Sequence, residues 1–187
     1  MDIVEIEKDY LYAVKYDDQV FDEYNRIFED FTNLELVNEF FETYKYKIGQ
    51  YYVNELGYKR NETEAFSQYV INEAIELEEY FECLIDNTVE CIKPDLKGHF
   101  TILEGFENED MPALKSYGLN RPSMLRVYAI EVDDNCLIIF YSGIKIEHSL
   151  SDCPVLKENV IRKARNVLDF LKSNGLLDRE CIREFAL

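Results

Sequence analysis

The chain has 187 residues, 47% of them hydrophobic, and a formal net charge of −18 at pH 7. This length and composition predict one domain with a packed core, and the excess of acid works against long-range attraction to nucleic acid or anionic membranes. No apolar run approaches the roughly 20 residues that span a bilayer. The opening segment MDIVEIEKDY carries acids where a secretory signal carries cations, so we expect a cytoplasmic location.

The N-terminal segment begins with extended structure. Residues 2–16 alternate in side-chain character and predict a strand, or a hairpin bent near 7–9. A helix is expected over about 20–31, because apolar residues recur there at spacings of three and four.

Two capping motifs predict two further helices. The motif TNLE, which begins at Thr32, opens the second helix, and that helix extends loosely to Tyr52 past a weak point at Gly49. The motif NETE, which begins at Asn61, opens the longest helix of the chain, expected to end near Thr88. Both helices carry rows of glutamate opposite an apolar stripe.

The C-terminal half is expected to contain the rest of the sheet. The segment 93–119 is rich in proline and glycine and predicts an irregular loop with, at most, a short strand over 99–103. From 121 to 148, apolar stretches joined by an Asp-Asp-Asn turn predict two or three antiparallel strands, with a break at Ser142-Gly143.

A last long helix follows the strands. Asp152 or Ser151 is placed to cap it, Pro154 is tolerated in its first turn, and Gly175 is a typical residue just beyond its end. The remaining tail is short.

This order of elements predicts an α+β fold. An antiparallel sheet would be made of the N-terminal strand or hairpin and the C-terminal β-meander, packed with three N-terminal helices and one long C-terminal helix. We expect a single domain, 1–187, with four parts: an acidic β-plus-helical segment (1–92), the irregular loop (93–119), the β-meander with its helix (120–175) and the tail (176–187).

Charge is distributed unevenly between the two halves. Residues 1–92 contain 23 acidic and 7 basic residues, whereas residues 93–187 contain 15 acidic and 13 basic residues. An acidic N-terminal half is typical of a solvated face, and it can also attract a basic partner.

The strongest candidate for a functional site lies on the β-meander. Arg126 and Lys145 are cations within apolar strands, where each must reach water, pair with an acid or bind a ligand. Tyr128 shares the face of Arg126, and His148 follows Lys145 by three residues. Arginine or lysine can stabilise charge on a reacting phosphate while histidine or tyrosine moves a proton. Ordinary ion pairs at a strand end are the alternative.

Two other charged sets are weaker candidates. Nucleic-acid-binding cations are Lys115, Arg121, Arg162, Arg165 and Lys172, the last three on one face of the C-terminal helix. Candidate contacts for a basic partner are the glutamates of the longest helix, Glu73, Glu76, Glu78, Glu79 and Glu82. That helix lacks the Glu-x-x-His motif of a di-metal site, and we expect neither a metal nor a cofactor.

The stretch MLRVYAIEVDDNCLIIFYSGIKI, followed by DCPVLKENVIRKARNVLDFL, resembles the C-terminal part of RelE/HigB-like proteins. The matching positions are Leu125, Arg126, Tyr128 and Ile130 in one strand, Ile138, Ile139, Gly143 and Lys145 in the next, and Asp152 and Pro154 before the helix. The N-terminal part is similar to a group of Bacteroidales proteins that share this C-terminal part. The resemblance is good over 120–175 and loose before it, and the acidic helical segment is an addition to the compact toxin plan.

The resemblance implies a curved antiparallel sheet and a toxin–antitoxin-type system, with a helix-turn-helix antitoxin as partner. It also implies metal-independent endoribonuclease activity on mRNA at the ribosome. By the matching positions, Arg126 and Lys145 would bind phosphate, and Tyr128 or His148 would assist proton transfer. The chain departs from the family in its acidity, in Ile144 at the second glycine of a Gly-Gly pair, and in a single Lys145 where relatives carry two lysines.

The sequence is also consistent with two other functions. One is a non-catalytic acidic module that binds a basic protein, with the sheet kept only as a scaffold. The other, suggested by acidity alone, is a DNA-mimic or anti-phage protein.

Overall fold

The computed structural model describes residues 1–85, 97–116, 119, 122–133 and 136–186. The fold is α+β, with six strands and six α-helices in the described part. The strands are β1 (Asp2–Glu7), β2 (Leu11–Lys15), β3 (Phe100–Ile102), β4 (Ala113–Ser116), β5 (Leu125–Asp133) and β6 (Cys136–Ile144). The helices are α1 (Glu23–Phe31), α2 (Leu34–Tyr44), α3 (Gln50–Leu56), α4 (Thr63–Ile85), α5 (Pro154–Ser173) and α6 (Arg179–Phe185), with short 3-10 helices at Lys45–Lys47 and Lys97–His99.

The six strands form one open sheet in the order β1-β2-β6-β5-β4-β3. All neighbouring pairs are antiparallel except β2 and β6, which are parallel. The sheet is therefore mixed and mostly antiparallel, so the prediction of an antiparallel sheet is confirmed in part. A parallel pair needs a long crossover, and here helices α1 to α4 and strands β3, β4 and β5 lie in the chain between the two strands.

The N-terminal alternation resolves as a hairpin rather than one bent strand. β1 and β2 pair with a register shift between Glu5 and Glu7. Asp9 takes a left-handed φ of 69° in the turn, a conformation that aspartate tolerates better than most residues. The short strand expected over 99–103 corresponds to β3, and β4 was not expected at all.

The helices differ from the expectation in number and in extent. The predicted second helix is broken into α2 and α3, because Gly49 leaves the helical path and donates its N–H to the Ile146 carbonyl at 2.7 Å. The tail forms α6, which the Asp178 carboxylate caps. The expected end of α4 near Thr88 lies outside the described residues, as does most of the Asp-Asp-Asn turn.

The central strands continue through the expected Ser142-Gly143 break. β6 includes both residues, and Gly143 lies opposite Arg126 in the pairing with β5. A Cβ atom on Gly143 would come within 2.3 Å of Leu156 in α5, so the missing side chain lets that helix approach the strand. Nearly every residue of β5 and β6 is buried, which means that other elements cover both faces of the sheet centre.

A buried ion network joins α1 to α5 and β6. The fully buried Glu23 carboxylate accepts hydrogen bonds from Arg26 at 2.7 Å and from Lys163 at 2.8 Å. Arg26 also donates to the Ser142 hydroxyl at 3.0 Å. The Lys163 ammonium lies 4.6 Å from the centre of the Tyr141 ring. One carboxylate thus holds two cations from different helices against the same strand.

Among the described residues, no helix is long and apolar enough to cross a membrane.

Replacing Glu23 by alanine tests this network. The change leaves two partly buried cations without their shared carboxylate, and we expect the free energy of unfolding to fall by about 3–5 kcal/mol. Urea unfolding followed by circular dichroism measures the loss. Glu29, which is exposed on the same helix, provides the control, and Glu29→Ala should change stability by no more than about 0.5 kcal/mol. Equal losses in the two variants would show that the network does not hold α5 in place.

Candidate functional site

The central strands bring three cations to one face of the sheet. Lys115 of β4 lies opposite Tyr128 of β5, and directly paired residues point to the same side. Arg126 stands two residues from Tyr128 and therefore shares that side. Lys145 follows β6 and donates its backbone N–H to the carbonyl of Met124, which also lies on the face of Arg126.

Two adjoining hollows open beside these cations. Each is lined by Arg126, Lys145 and His148. The hollow on the sheet side has a volume of about 250 Å³ and is completed by Leu103, Glu104, Lys115, Tyr128, Ser149 and Leu150. The hollow on the α3 side has a volume of about 190 Å³ and is completed by Tyr51, Tyr52, Pro122 and Ser123. The four side chains predicted to be catalytic therefore line one concave region.

Arg126 forms the buried part of this region. Its side chain is only 6% exposed. The Nη1 atom donates to the Ser123 hydroxyl and to the Leu125 carbonyl, both at 2.8 Å. These two acceptors fix the guanidinium at the start of β5, and they leave its other N–H groups to contact further groups around the hollow.

Lys145 lies in a half-buried position with other cations near it. Its ammonium donates to the His148 carbonyl, and among the described residues it forms no ion pair with a carboxylate. Two effects lower the pKa of Lys145 to about 8. Burial is the larger effect, and repulsion from Arg126 and Lys115 adds to it. The group can therefore exchange a proton near neutral pH, unlike an ordinary lysine.

Tyr128 and His148 have contrasting surroundings. Tyr128 is 1% exposed, and burial raises the pKa of its phenol, so the hydroxyl stays protonated at neutral pH. His148 is exposed at the rim, where its ring meets the ring of Tyr51 edge-to-face with 4.8 Å between centres. His148 is thus accessible to a ligand, whereas Tyr128 forms part of the floor.

The residues predicted to contact nucleic acid lie in different places. Lys115 lies at the hollow. Arg165 and Lys172 of α5 both pair with Glu109, and Arg162 contacts Asn159 on its own helix. Arg121 lies outside the described residues. A carboxylate thus partly neutralises the basic face expected along α5.

The glutamates of α4 that were predicted to contact a partner differ in their exposure. Three are exposed, namely Glu76, Glu79 and Glu82, and Glu78 is half-buried. Glu73 is only 8% exposed and accepts hydrogen bonds from the N–H groups of Met124 and Leu125 at 2.9 and 3.2 Å. The Glu73 carboxylate therefore faces the sheet and is not available to a partner on the exposed side of α4.

Another cavity, of about 470 Å³, lies between α1, α2 and the edge of β6. It is largely apolar, and its cation, Arg26, already binds Glu23, Asp30 and Ser142. The hollows beside Arg126 combine concave shape with several convergent cations, and we place the functional site there for that reason.

Several residues of the site were not identified from the sequence. Tyr51 and Tyr52 come from α3, which lies more than 70 residues before the β-meander, and no spacing rule connects the two segments. Ser123 and Glu104 are ordinary loop residues by sequence. The adjacent tyrosines at the start of α3 were the one available signal, and by sequence they are equally typical of an amphipathic core helix.

Comparison with protein-family models, with curated protein sequences and with solved structures found no match to this chain. Inference about function therefore depends on the geometry of the hollows.

The low pKa of Lys145 predicts a stability effect with a definite sign. Between about pH 8 and the ordinary lysine pKa of about 10.4, the unfolded chain binds a proton at this group that the folded chain does not, so stability from Lys145 rises with pH there. At neutral pH the buried charge opposes folding. We expect Lys145→Met to raise the free energy of unfolding at neutral pH, and this advantage should shrink as pH increases through that range.

Urea unfolding of both proteins from about pH 6 to about pH 10 measures the difference, because other groups that titrate contribute equally to each. Lys157→Met is the matched control, since Lys157 is exposed, and it should show no such pH dependence. A difference between Lys145→Met and the wild type that does not vary with pH would contradict the lowered pKa.

Proposed function

We propose that the hollows beside Arg126 bind single-stranded RNA and cleave it without a metal ion, as in RelE/HigB-like endoribonucleases. The observation that carries the proposal is the convergence of Arg126, Tyr128, Lys145 and His148 on one concave region. These residues were selected from sequence for phosphodiester chemistry. Lys115, selected separately as a nucleic-acid contact, lies beside them.

The charges suit a phosphodiester. A phosphate group seated between Arg126 and Lys145 would relieve the repulsion that lowers the Lys145 pKa, because an anion favours the protonated lysine. Arg126 is already oriented by two hydrogen bonds. Such preorganised donors stabilise the extra negative charge of a phosphorane transition state.

The proposed reaction is transfer within the RNA chain. The ribose 2′-oxygen attacks the adjacent phosphorus atom, its proton passes to the ring of His148 at the rim, and the bond from phosphorus to the 5′-oxygen breaks. The ammonium group of Lys145, which the bound phosphate keeps protonated, gives a proton to the leaving 5′-oxygen. The products are a 2′,3′-cyclic phosphate and a 5′-hydroxyl end, and a proton exchange with water restores both side chains.

The shape of the site favours a single strand. The two hollows share Arg126, Lys145 and His148, and we expect the nucleotides before and after the bound phosphate to contact one hollow each. Tyr51 is 37% exposed at the rim of the hollow on the α3 side. Exposed aromatic rings beside cations are typical of sites where unpaired bases stack.

The overall acidity has a consequence for the partner. A net charge of −18 gives no long-range attraction to RNA, so delivery of mRNA would depend on the local cations and on the ribosome. We propose a helix-turn-helix antitoxin-like protein as the partner that restrains the activity. The acidic helices carry exposed glutamates that a basic segment of such a protein can contact.

An acidic interaction module is the second candidate. It is favoured by the exposed row Glu76, Glu79 and Glu82 on α4, beside the 42%-exposed Ile75. A basic protein would bind this row and leave the sheet unused. Under this function, neutralising the cations of the hollows would leave partner binding unchanged.

The two candidates make opposite predictions for Arg126→Gln and Lys145→Met. If the hollows cleave RNA, each change should lower the rate of cleavage of a single-stranded RNA by about 10²–10³-fold, because a donor to the transition state is lost. Product ends resolved by mass spectrometry measure the reaction. Expression in a heterologous host should arrest growth for the wild type and not for either variant.

Lys59→Gln is the control for loss of one positive charge, because Lys59 is exposed in the loop before α4. It should cleave at the wild-type rate. Unchanged cleavage in Arg126→Gln with a native melting curve, or no cleavage by the wild type, would remove the nuclease proposal.

A further inference from the structure

Glu73 is the acid of α4 whose position the sequence does not explain. A glutamate on a solvated acidic helix would point to water, yet this side chain is only 8% exposed and reaches across to the start of β5. Burial raises the pKa of Glu73, and the surrounding polar groups, including Ser123, the two backbone amides and Arg126, act in the opposite direction. The carboxylate is therefore built into the site side of the sheet.

The carboxylate accepts hydrogen bonds from the backbone at the start of β5. Among the described residues, β4 pairs with β5 over residues 128–130 of β5, and three backbone N–H groups that precede this stretch donate to side chains. Val127 donates to the Ser116 hydroxyl at 3.3 Å. Leu125 and Met124 donate to the Oε2 atom of Glu73. Glu73 thereby fixes the backbone immediately before Arg126.

The same short segment holds the Arg126 guanidinium. Both acceptors of its Nη1 atom, the Ser123 hydroxyl and the Leu125 carbonyl, belong to residues 123–125. The Ser123 hydroxyl is itself close to the Leu125 carbonyl, at 3.0 Å. Any movement of this segment would move the acceptors, and the guanidinium would move with them.

We infer that Glu73 is a positioning residue for Arg126, so that the acidic helix α4 prepares the hollow for an anionic ligand without contacting it. This inference rests on the proposed function for the identity of the ligand. It assigns α4 a role in completing the site, in contrast to masking it or binding a partner through this residue.

The sign of the effect on binding separates positioning from simple electrostatics. A carboxylate near an anion site repels the anion, so its removal should strengthen binding if charge alone matters. If Glu73 acts by positioning, Glu73→Ala should weaken binding about tenfold, because a misplaced donor loses much of its contact energy. The probe is a short fluorescent single-stranded RNA with every 2′-hydroxyl methylated, which blocks cleavage.

Four variants complete the binding experiment. Glu73→Gln keeps an acceptor oxygen and should retain affinity within about twofold. Glu73→Asp keeps the charge but withdraws the carboxylate by one methylene, and should weaken binding as alanine does. Glu76→Ala removes an exposed acid of the same helix and should not weaken binding. In the double variant Glu73→Ala/Arg126→Gln, binding should be no weaker than in Arg126→Gln alone, since positioning acts only through that arginine.

A readout that needs no RNA distinguishes failure of this inference from failure of the proposed function. In nitrogen-15 NMR spectra recorded at low temperature, the Nη1–Hη signal of Arg126, identified by its loss in Arg126→Gln, should exchange slowly in the wild type and in Glu73→Gln. It should broaden or disappear in Glu73→Ala and Glu73→Asp.

The two readouts distinguish failure of the proposed function from failure of the positioning role. If the wild type binds no RNA but the Arg126 signal depends on Glu73, the proposed function fails and the positioning role stands. An Arg126 signal that persists in folded Glu73→Asp, or RNA binding that strengthens in Glu73→Ala or Glu73→Asp, overturns the inference. Should Glu73→Ala fail to fold, Glu73→Asp and Glu73→Gln decide the question alone.

Discussion

The constraint on which this site depends is the placement of like charges on a buried sheet. Lys115 lies in β4, Arg126 in the neighbouring strand β5 and Lys145 just after β6, and repulsion from the first two contributes to the low pKa of Lys145. Cations brought together in a partly dry environment destabilise the folded state unless something compensates. The apolar packing of the central strands provides that compensation, because their register is fixed by core residues on both faces.

Arg126 and Lys145 are held by different polar groups. Arg126 is bound by the Leu125 carbonyl of its own strand and by the Ser123 hydroxyl just before that strand, whereas Lys145 contacts a carbonyl of the following loop. The contrast with the Glu23 network is informative. There a buried carboxylate neutralises two cations and joins helices, which makes a structural contact. At the hollows, no carboxylate takes that place beside Lys145 among the described residues, and an anionic ligand can do so.

The sequence predicted the central part of this arrangement because strand periodicity is local. Arg126 and Tyr128 had to share a face once β5 was recognised, and Lys145 followed from the next strand. The parallel pairing of β2 with β6 was not predictable in the same way, since it joins segments more than 120 residues apart. The break between α2 and α3 depends on a contact from Gly49 to Ile146, which is also remote in sequence. The burial of Glu73, which was predicted as an exposed partner contact, and the position of Tyr51 at the rim were not predictable for the same reason: tertiary packing, rather than helical pattern, decides where those side chains lie.

The carboxylate at the start of β5 has a consequence beyond the site. A strand with unpaired backbone donors readily adds a strand from another molecule. In this fold the carboxylate of α4 and the Ser116 hydroxyl occupy the donors along that stretch of β5. The acidic helix α4 therefore also covers backbone donors through which the start of β5 could otherwise pair with another molecule.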